Sequence, residues 1–170
     1  MEGYFMRVSV LSYFSLAFSI TVAMTMPAAA QMATPAMVKT FTSSAEVQQL
    51  IAKAKADRKG DAPTTSESIL SLAPYRANLE YRPIPGPAAI HDTEDEVMFV
   101  IDGAGTITLG GQMVNPTRSN PTNQSAASIS GGTDQKLTEG DFLIVPHGTP
   151  HQITAVPGAP LVLMTLHVPQ

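Results

Sequence analysis

The sequence predicts an all-β domain, a small barrel or sandwich, with one helix on its N-terminal side and an export segment in front. From Ile69 onward, short apolar runs recur between glycine turns at Gly103-Ala-Gly105, Gly110-Gly111, Gly131-Gly132 and Gly158, the spacing of many short strands rather than of alternating strands and helices. A single stretch, residues 43–60, carries the 3.6-residue period of an amphipathic helix. Two turns, at residues 91–96 and 146–151, place histidine beside a buried-strand pattern. If the strands close, these two turns face each other across the inside of a small β-barrel.

The first element is the export segment. Residues 8–24 are almost wholly apolar, with Arg7 before them and Ala28-Ala29-Ala30 behind. This is the three-part layout of a secretory signal peptide, with cleavage expected between Ala30 and Gln31. A retained membrane helix needs roughly 20 apolar residues, and this run is shorter and interrupted by serines. Glu2 is out of place in a positive n-region, and a start at Met6 would remove it. The expected product is an exported protein, periplasmic or secreted, with no membrane anchor after cleavage.

Removing residues 1–30 leaves 31–170, enough for one domain with its own core. The lost segment holds one Arg and one Glu, so the net charge of −4 is unchanged. A mildly acidic chain with no basic cluster argues against nucleic acid as a partner. The chain has no cysteine, which excludes disulfides, thiolate catalysis and thiolate metal ligands.

Residues 31–39 read as a tether. Ser43-x-x-Glu46 is a capping box, and Val47, Leu50, Ile51 and Ala54 recur at helical spacing. Lys53, Lys55, Arg58 and Lys59 load the helix end, before Gly60. Residues 61–68 are expected as a loop, so the domain boundaries read 1–30 signal peptide, 31–67 tether and helix, 68–170 barrel. Strands are predicted over 78–82, 88–91, 96–102, 106–109, 135–137, 141–145, 152–156 and 161–168. The run 141–145 has the pattern of a strand covered on both faces, and 115–130, rich in Asn, Ser and Thr, that of a surface excursion.

Gly140, Pro146, Gly148 and His151 follow the spacing glycine, five residues, Pro-x-Gly, two residues, histidine. That pattern resembles the second motif of the cupin superfamily, whose fold is a jelly-roll barrel, the double-stranded β-helix. In the first motif Glu96 and Gly103 match with six residues between them, and His91 falls on the second histidine. The first histidine's position holds Ala89 and the leading glycine's holds Pro83, so this motif is degenerate. The resemblance covers about residues 78–168. It implies a single-domain cupin whose metal ligands are His91, Glu96 and His151.

Imidazole nitrogens and a carboxylate bind a divalent ion when they converge, and these three converge only in a closed barrel. Two histidines and one carboxylate with open positions suit iron, and zinc or manganese also. The gap at Ala89 is filled either by water or by His167 from the last strand, if that side chain points inward rather than packing in the core. Without a metal, His91 and Glu96 form a hydrogen-bonded pair and His151 lines an apolar pocket. Met98 and Val100 share a strand face with Glu96 and are expected to line the same cavity. Arg76, Tyr81 and Arg82 are candidates to grip an anionic ligand at the mouth, or else solvated charges, and His147 is a rim residue. Glu94 and Asp95 are expected in a solvated turn. Phe99 and Ile101 lie on the other face, as core or as contact in a homodimer. The functions in view are a metal-dependent oxygenase or isomerase on a small organic substrate, a small-ligand-binding module, or a metal-free epimerase-like site.

Overall fold

The structure is a computed structural model that describes residues 38–170; the expected signal peptide and most of the expected tether, at residues 2–37, lie outside the described residues. The tether's end, Lys39, exchanges two backbone hydrogen bonds of 2.8 Å with Ser71. Helix α1 (Ser44–Asp57) begins on the predicted capping box. The Glu46 N–H donates to Ser43 Oγ at 3.2 Å, and the Ser43 N–H donates to Glu46 Oε2 at 3.1 Å. The helix stops short of Gly60, which takes φ +54° in the following turn.

Thirteen strands are found among the described residues. They are β1 (Thr65–Leu72), β2 (Tyr75–Arg82), β3 (Ala88–His91), β4 (Glu94–Asp102), β5 (Ala104–Leu109), β6 (Gln112–Met113) and β7 (Thr117–Asn120). Then come β8 (Asn123–Ala126), β9 (Ile129–Ser130), β10 (Thr133–Thr138), β11 (Phe142–Val145), β12 (His151–Ala155) and β13 (Leu161–Pro169). Two antiparallel sheets result, ordered β1-β2-β13-β4-β11 and β10-β5-β12-β3-β8-β7, with a small β6-β9 ribbon. Each of the eight predicted strands is present. The stretch 61–68 differs from expectation, because β1 already starts at Thr65 and pairs with β2. The excursion 115–130 also differs: it contains the β7-β8 hairpin, and β8 extends the second sheet beside β3.

Directly paired residues in an antiparallel sheet share a face, and the register lays out rows across the five-stranded sheet. Arg76, His167, Glu96 and Val145 form one row; Asn78, Thr165, Met98 and Leu143 form the next. This face looks toward the other sheet. Met98, Val100, Leu161 and Leu163 pack there against Ile107, Leu137 and Ile153. The opposite face carries Ala77, Leu79, Tyr81 and Val162, which pack on Ala54 and its helix. Full burial of Leu79 contributes about 2 kcal/mol of hydrophobic stabilisation.

The face bearing Phe99 is covered only in part. Helix α1 packs on β1 and β2, and β11 is the sheet's edge strand. Phe142 and Ile144 are therefore 74% and 58% exposed, not covered on both faces as the apolar run suggested. The Phe142 ring lies 4.5 Å from that of Phe99.

Candidate metal centre

Turn chemistry delivers the histidines. Gly148, at φ +70°, reverses the chain after Pro146, and its N–H donates to the His91 carbonyl at 2.8 Å. A residue with a Cβ is strained at that φ. One peptide contact thereby fastens the end of β3 to the loop that feeds β12, and fixes His91 against His151. Gly103 ends the other motif at φ +81°, where an added Cβ would run into the Pro160 carbonyl.

Glu96 is 3% exposed and all three interior histidines gather on its carboxylate. His151 Nε2 lies 3.1 Å and His91 Nε2 3.6 Å from Oε2, and His167 Nε2 lies 3.8 Å from Oε1. His91, Glu96 and His167 each offer a ligand atom within 4.8 Å of the others'. The His91 and His151 ring centroids are 5.3 Å apart, and His167 meets His91 edge-on at 4.7 Å. Sequence parity left the face of His167 open; its register opposite Glu96 turns it inward.

The far side of each ring defines its proton. Asn123 Oδ1 accepts from His91 Nδ1 at 2.9 Å, and the Thr149 carbonyl accepts from His151 Nδ1 at 3.1 Å. Both acceptors lack a proton to give, so in the neutral imidazoles Nδ1 carries the hydrogen and Nε2 presents a lone pair. Two lone pairs thus face a buried carboxylate. That arrangement repels unless a proton or a cation stands between them. The Glu96 Oε2, the Thr165 Oγ1 and the His167 Nδ1 are all buried without an aligned hydrogen-bond partner; of these, Glu96 Oε2 is the one that faces the Nε2 atoms of His91 and His151. Two imidazole nitrogens and a carboxylate, those of His91, His167 and Glu96, are a donor set for a divalent ion, and the orphaned oxygen fits that use. His151 Nε2, expected as a ligand, reaches the same carboxylate at 3.1 Å but falls outside the group whose ligand atoms all lie within 4.8 Å of one another.

The charges are coupled accordingly. Burial alone would push the Glu96 carboxyl up, but hydrogen bonding and charge from His151 and His91, with the charge of His167, hold it well below the usual carboxylate range. Burial likewise works against charged His91, yet Glu96, Asn123 and Glu94 outweigh it and set His91 above its ordinary 6.5.

The other candidate residues divide. Ala89 pairs with His151 in register, on the same inward face, and offers no ligand atom there. Met98 and Val100 share the face of Glu96 but sit in the packed core below it, 2% and 1% exposed. Arg76 is exposed and stands in register beside His167. Arg82 is not free for a ligand: its Nη2 and Nε lie 2.7 and 2.8 Å from Glu80 Oε2. Tyr81 leaves the pocket set altogether, since the two-residue strand period turns it, 7% exposed, toward the helix. His147 holds Asp95, whose Oδ1 accepts from the His147 backbone N–H at 2.8 Å and lies 2.9 Å from its ring. That contact holds the Asp95 carboxyl below its ordinary value, on the face of β4 away from Glu96.

One positioning residue was absent from the sequence expectations, and another was placed wrongly by them. Asn123, which orients His91, lies in the polar excursion. Its signal was the pair of short polar runs 117–120 and 123–126 around Pro121-Thr122, a hairpin spacing. Glu94, expected in a solvated turn, instead opens β4 half-buried on the inward face, because the strand starts two residues before Glu96 and shares its parity; its Oε2 lies 3.3 Å from His167 Nδ1.

No model of a known protein family matches the chain, and no curated protein matches it. Solved structures do share its architecture. A double-stranded β-helix protein from Klebsiella pneumoniae is 14% identical with a TM-score of 0.51, over 72% of this chain and 86% of that one. A Bacillus halodurans protein gives 14% and 0.51, over 76% and 81%. The cupin domain of a Schizosaccharomyces pombe protein gives 13% and 0.48, over 68% and 72%. The chain has the double-stranded β-helix fold.

Proposed function

We propose that this cupin-fold protein is a metal-dependent enzyme of the oxygenase or isomerase type, acting on a small organic substrate inside the barrel. The supporting observation is the buried Glu96 carboxylate with Oε2 unpartnered beneath the Nε2 atoms of His91 and His151. Iron, manganese or zinc is the expected ion, held by Glu96, His91, His151 and His167. Such an ion supplies Lewis acidity and an open position for a substrate oxygen. The chain's own part is orientation: Asn123 and the Thr149 carbonyl fix the tautomers of His91 and His151. The packed core below, at Met98 and Val100, excludes water from that side. Arg76 at the mouth suits an anionic group on the substrate.

A metal-free, epimerase-like reading has one observation in its favour. With His91 set high and Glu96 set low, 3.6 Å apart, the proton of the pair rests on the His91 imidazole beside a carboxylate inside the barrel, where an imidazolium serves as a general acid. Export and cleavage near Ala30 remain part of the proposal, as does a homodimer through the strand face of Phe99 and Ile101.

The test is elemental analysis of protein purified without a histidine tag, wild type beside Glu96→Ala and His151→Ala. The expected result is about one ion per chain, lost in both variants. No ion in wild type after incubation with iron, manganese and zinc would overturn the metal reading and leave the acid–base or ligand-binding one.

A further inference from the structure

A histidine that ligates through one ring nitrogen needs an acceptor on the other, to fix its tautomer and its ring plane. Asn123 Oδ1 serves His91 in this way, and the Thr149 carbonyl serves His151. For His167 the group in place is Glu94. Its Oε2 stands 3.3 Å from Nδ1, while Nε2 on the opposite edge of the ring faces Glu96 Oε1 at 3.8 Å. The ring of His167 therefore spans two carboxylates with its two nitrogens. One carboxylate is almost wholly buried; the side chain of the other is 28% exposed at the mouth.

This placement follows from the sheet. Glu94 and Glu96 are two residues apart on β4, hence on one face, and β13 brings Pro169 and His167 opposite them. His167 Nδ1 is buried and has no aligned hydrogen-bond partner. Hydrogen bonds of this sort are often long or askew before a site is loaded.

We propose that Glu94 is the positioning residue of His167: its carboxylate accepts the Nδ1 hydrogen and so turns the Nε2 lone pair toward the Glu96 side of the barrel. This rests on the metal reading above and goes beyond it. It accounts for how the chain gathers three imidazoles although the first cupin histidine is replaced by Ala89. The third ring comes from β13, outside both motifs, and brings its orienting group from the strand it pairs with. A carboxylate is also the strongest of the three acceptors, since a charged acceptor makes a hydrogen bond about twice as strong as a neutral one.

The experiment uses Co²⁺ alone as the probe, added to the whole metal-free protein and followed by calorimetry and visible absorption. Wild type is compared with Glu94→Gln, Glu94→Asp, His167→Gln and the double variant Glu94→Gln/His167→Gln; thermal unfolding without metal checks that each is folded. Glu94→Gln should bind Co²⁺ about 10- to 100-fold more weakly, with a shifted visible band, and Glu94→Asp should recover part of the loss. In the His167→Gln background, Glu94→Gln should cost nothing more. Wild-type affinity in Glu94→Gln, or an equal loss in both backgrounds, would overturn the proposal, the latter because Glu94 would then act only through its charge. Wild-type affinity in His167→Gln would overturn it while leaving a centre of His91, Glu96 and His151. No Co²⁺ uptake by the wild-type protein would remove the metal reading itself, and Glu94's role with it.

Discussion

Glu96 Oε2 and His151 Nε2 stand 3.1 Å apart although their strands belong to different sheets. The contact closes the barrel at its mouth and sets two acceptors face to face.

Glu96→Gln keeps the volume and removes the charge. Metal binding should fall below detection, because an amide is a poor ligand beside imidazoles for iron, manganese or zinc. Calorimetric titration with each ion checks this; retained binding would mean that the histidines alone form the centre.

The metal-free protein should be most stable between about pH 4.5 and about pH 6.5. Glu96 has a lowered folded pKa, so its contribution is present above its ordinary 4.5 and is lost as pH falls toward the folded value. His91 has a raised folded pKa, so its contribution is complete below its ordinary 6.5 and is lost as pH rises through the folded value. A bound ion requires neutral imidazole and reverses the upper limb. Thermal unfolding across pH, with chelator and with added metal, should give two curves that diverge above about pH 6.5.

Asn123→Ala should weaken metal binding about 10- to 100-fold while sparing the fold, because it frees the ring of His91. Competition with a coloured chelator measures it. An unchanged affinity would show that the β8 amide only shields the site.

Ala89→His restores the motif's first histidine at a position in register with His151 and on its inward face. It should tighten metal binding by about tenfold or more, the scale on which changes to a ligand shell act. Weaker binding would show instead that a ring at this position crowds His151.

Ser43→Ala should lower stability by about 1 kcal/mol through the lost cap, with metal affinity unchanged. Chemical denaturation of metal-free protein reads the first and titration the second. A loss of affinity would couple the helix to the centre.

The turns made much of this legible. Gly140, Pro146 and Gly148 leave the backbone few options, so the spacing to His151 carried over from sequence to structure. The two-residue period put Glu96, Met98 and Val100 on one face. On that strand the motif glutamate marks the inward face, whereas on β2 and β13 no such marker exists and the period alone does not say which face looks inward. His167 and Tyr81 lie on strands of similar alternation, yet one joins the centre and the other the helix. Only the pairing with β4 and the position of α1 distinguish them, and both are long-range facts. Asn123 was missed for a related reason: a short polar strand has no apolar alternation to announce it. Phe142 and Ile144 misled, because a buried-strand pattern does not reveal that its strand stands at an edge.

Strand β13 lies between β2 and β4, paired with both, although it follows every other strand in the chain. During synthesis, then, the five-stranded sheet stays split into two parts until residues 161–169 have emerged. A nascent chain halted before Leu161 has the first motif and the second but neither the strand that joins their sheet nor His167. It also exposes two open strand edges, the usual template for aggregation. Assembly of the centre is thereby tied to the arrival of one late segment, and a partly made chain should neither hold metal nor remain in solution for long.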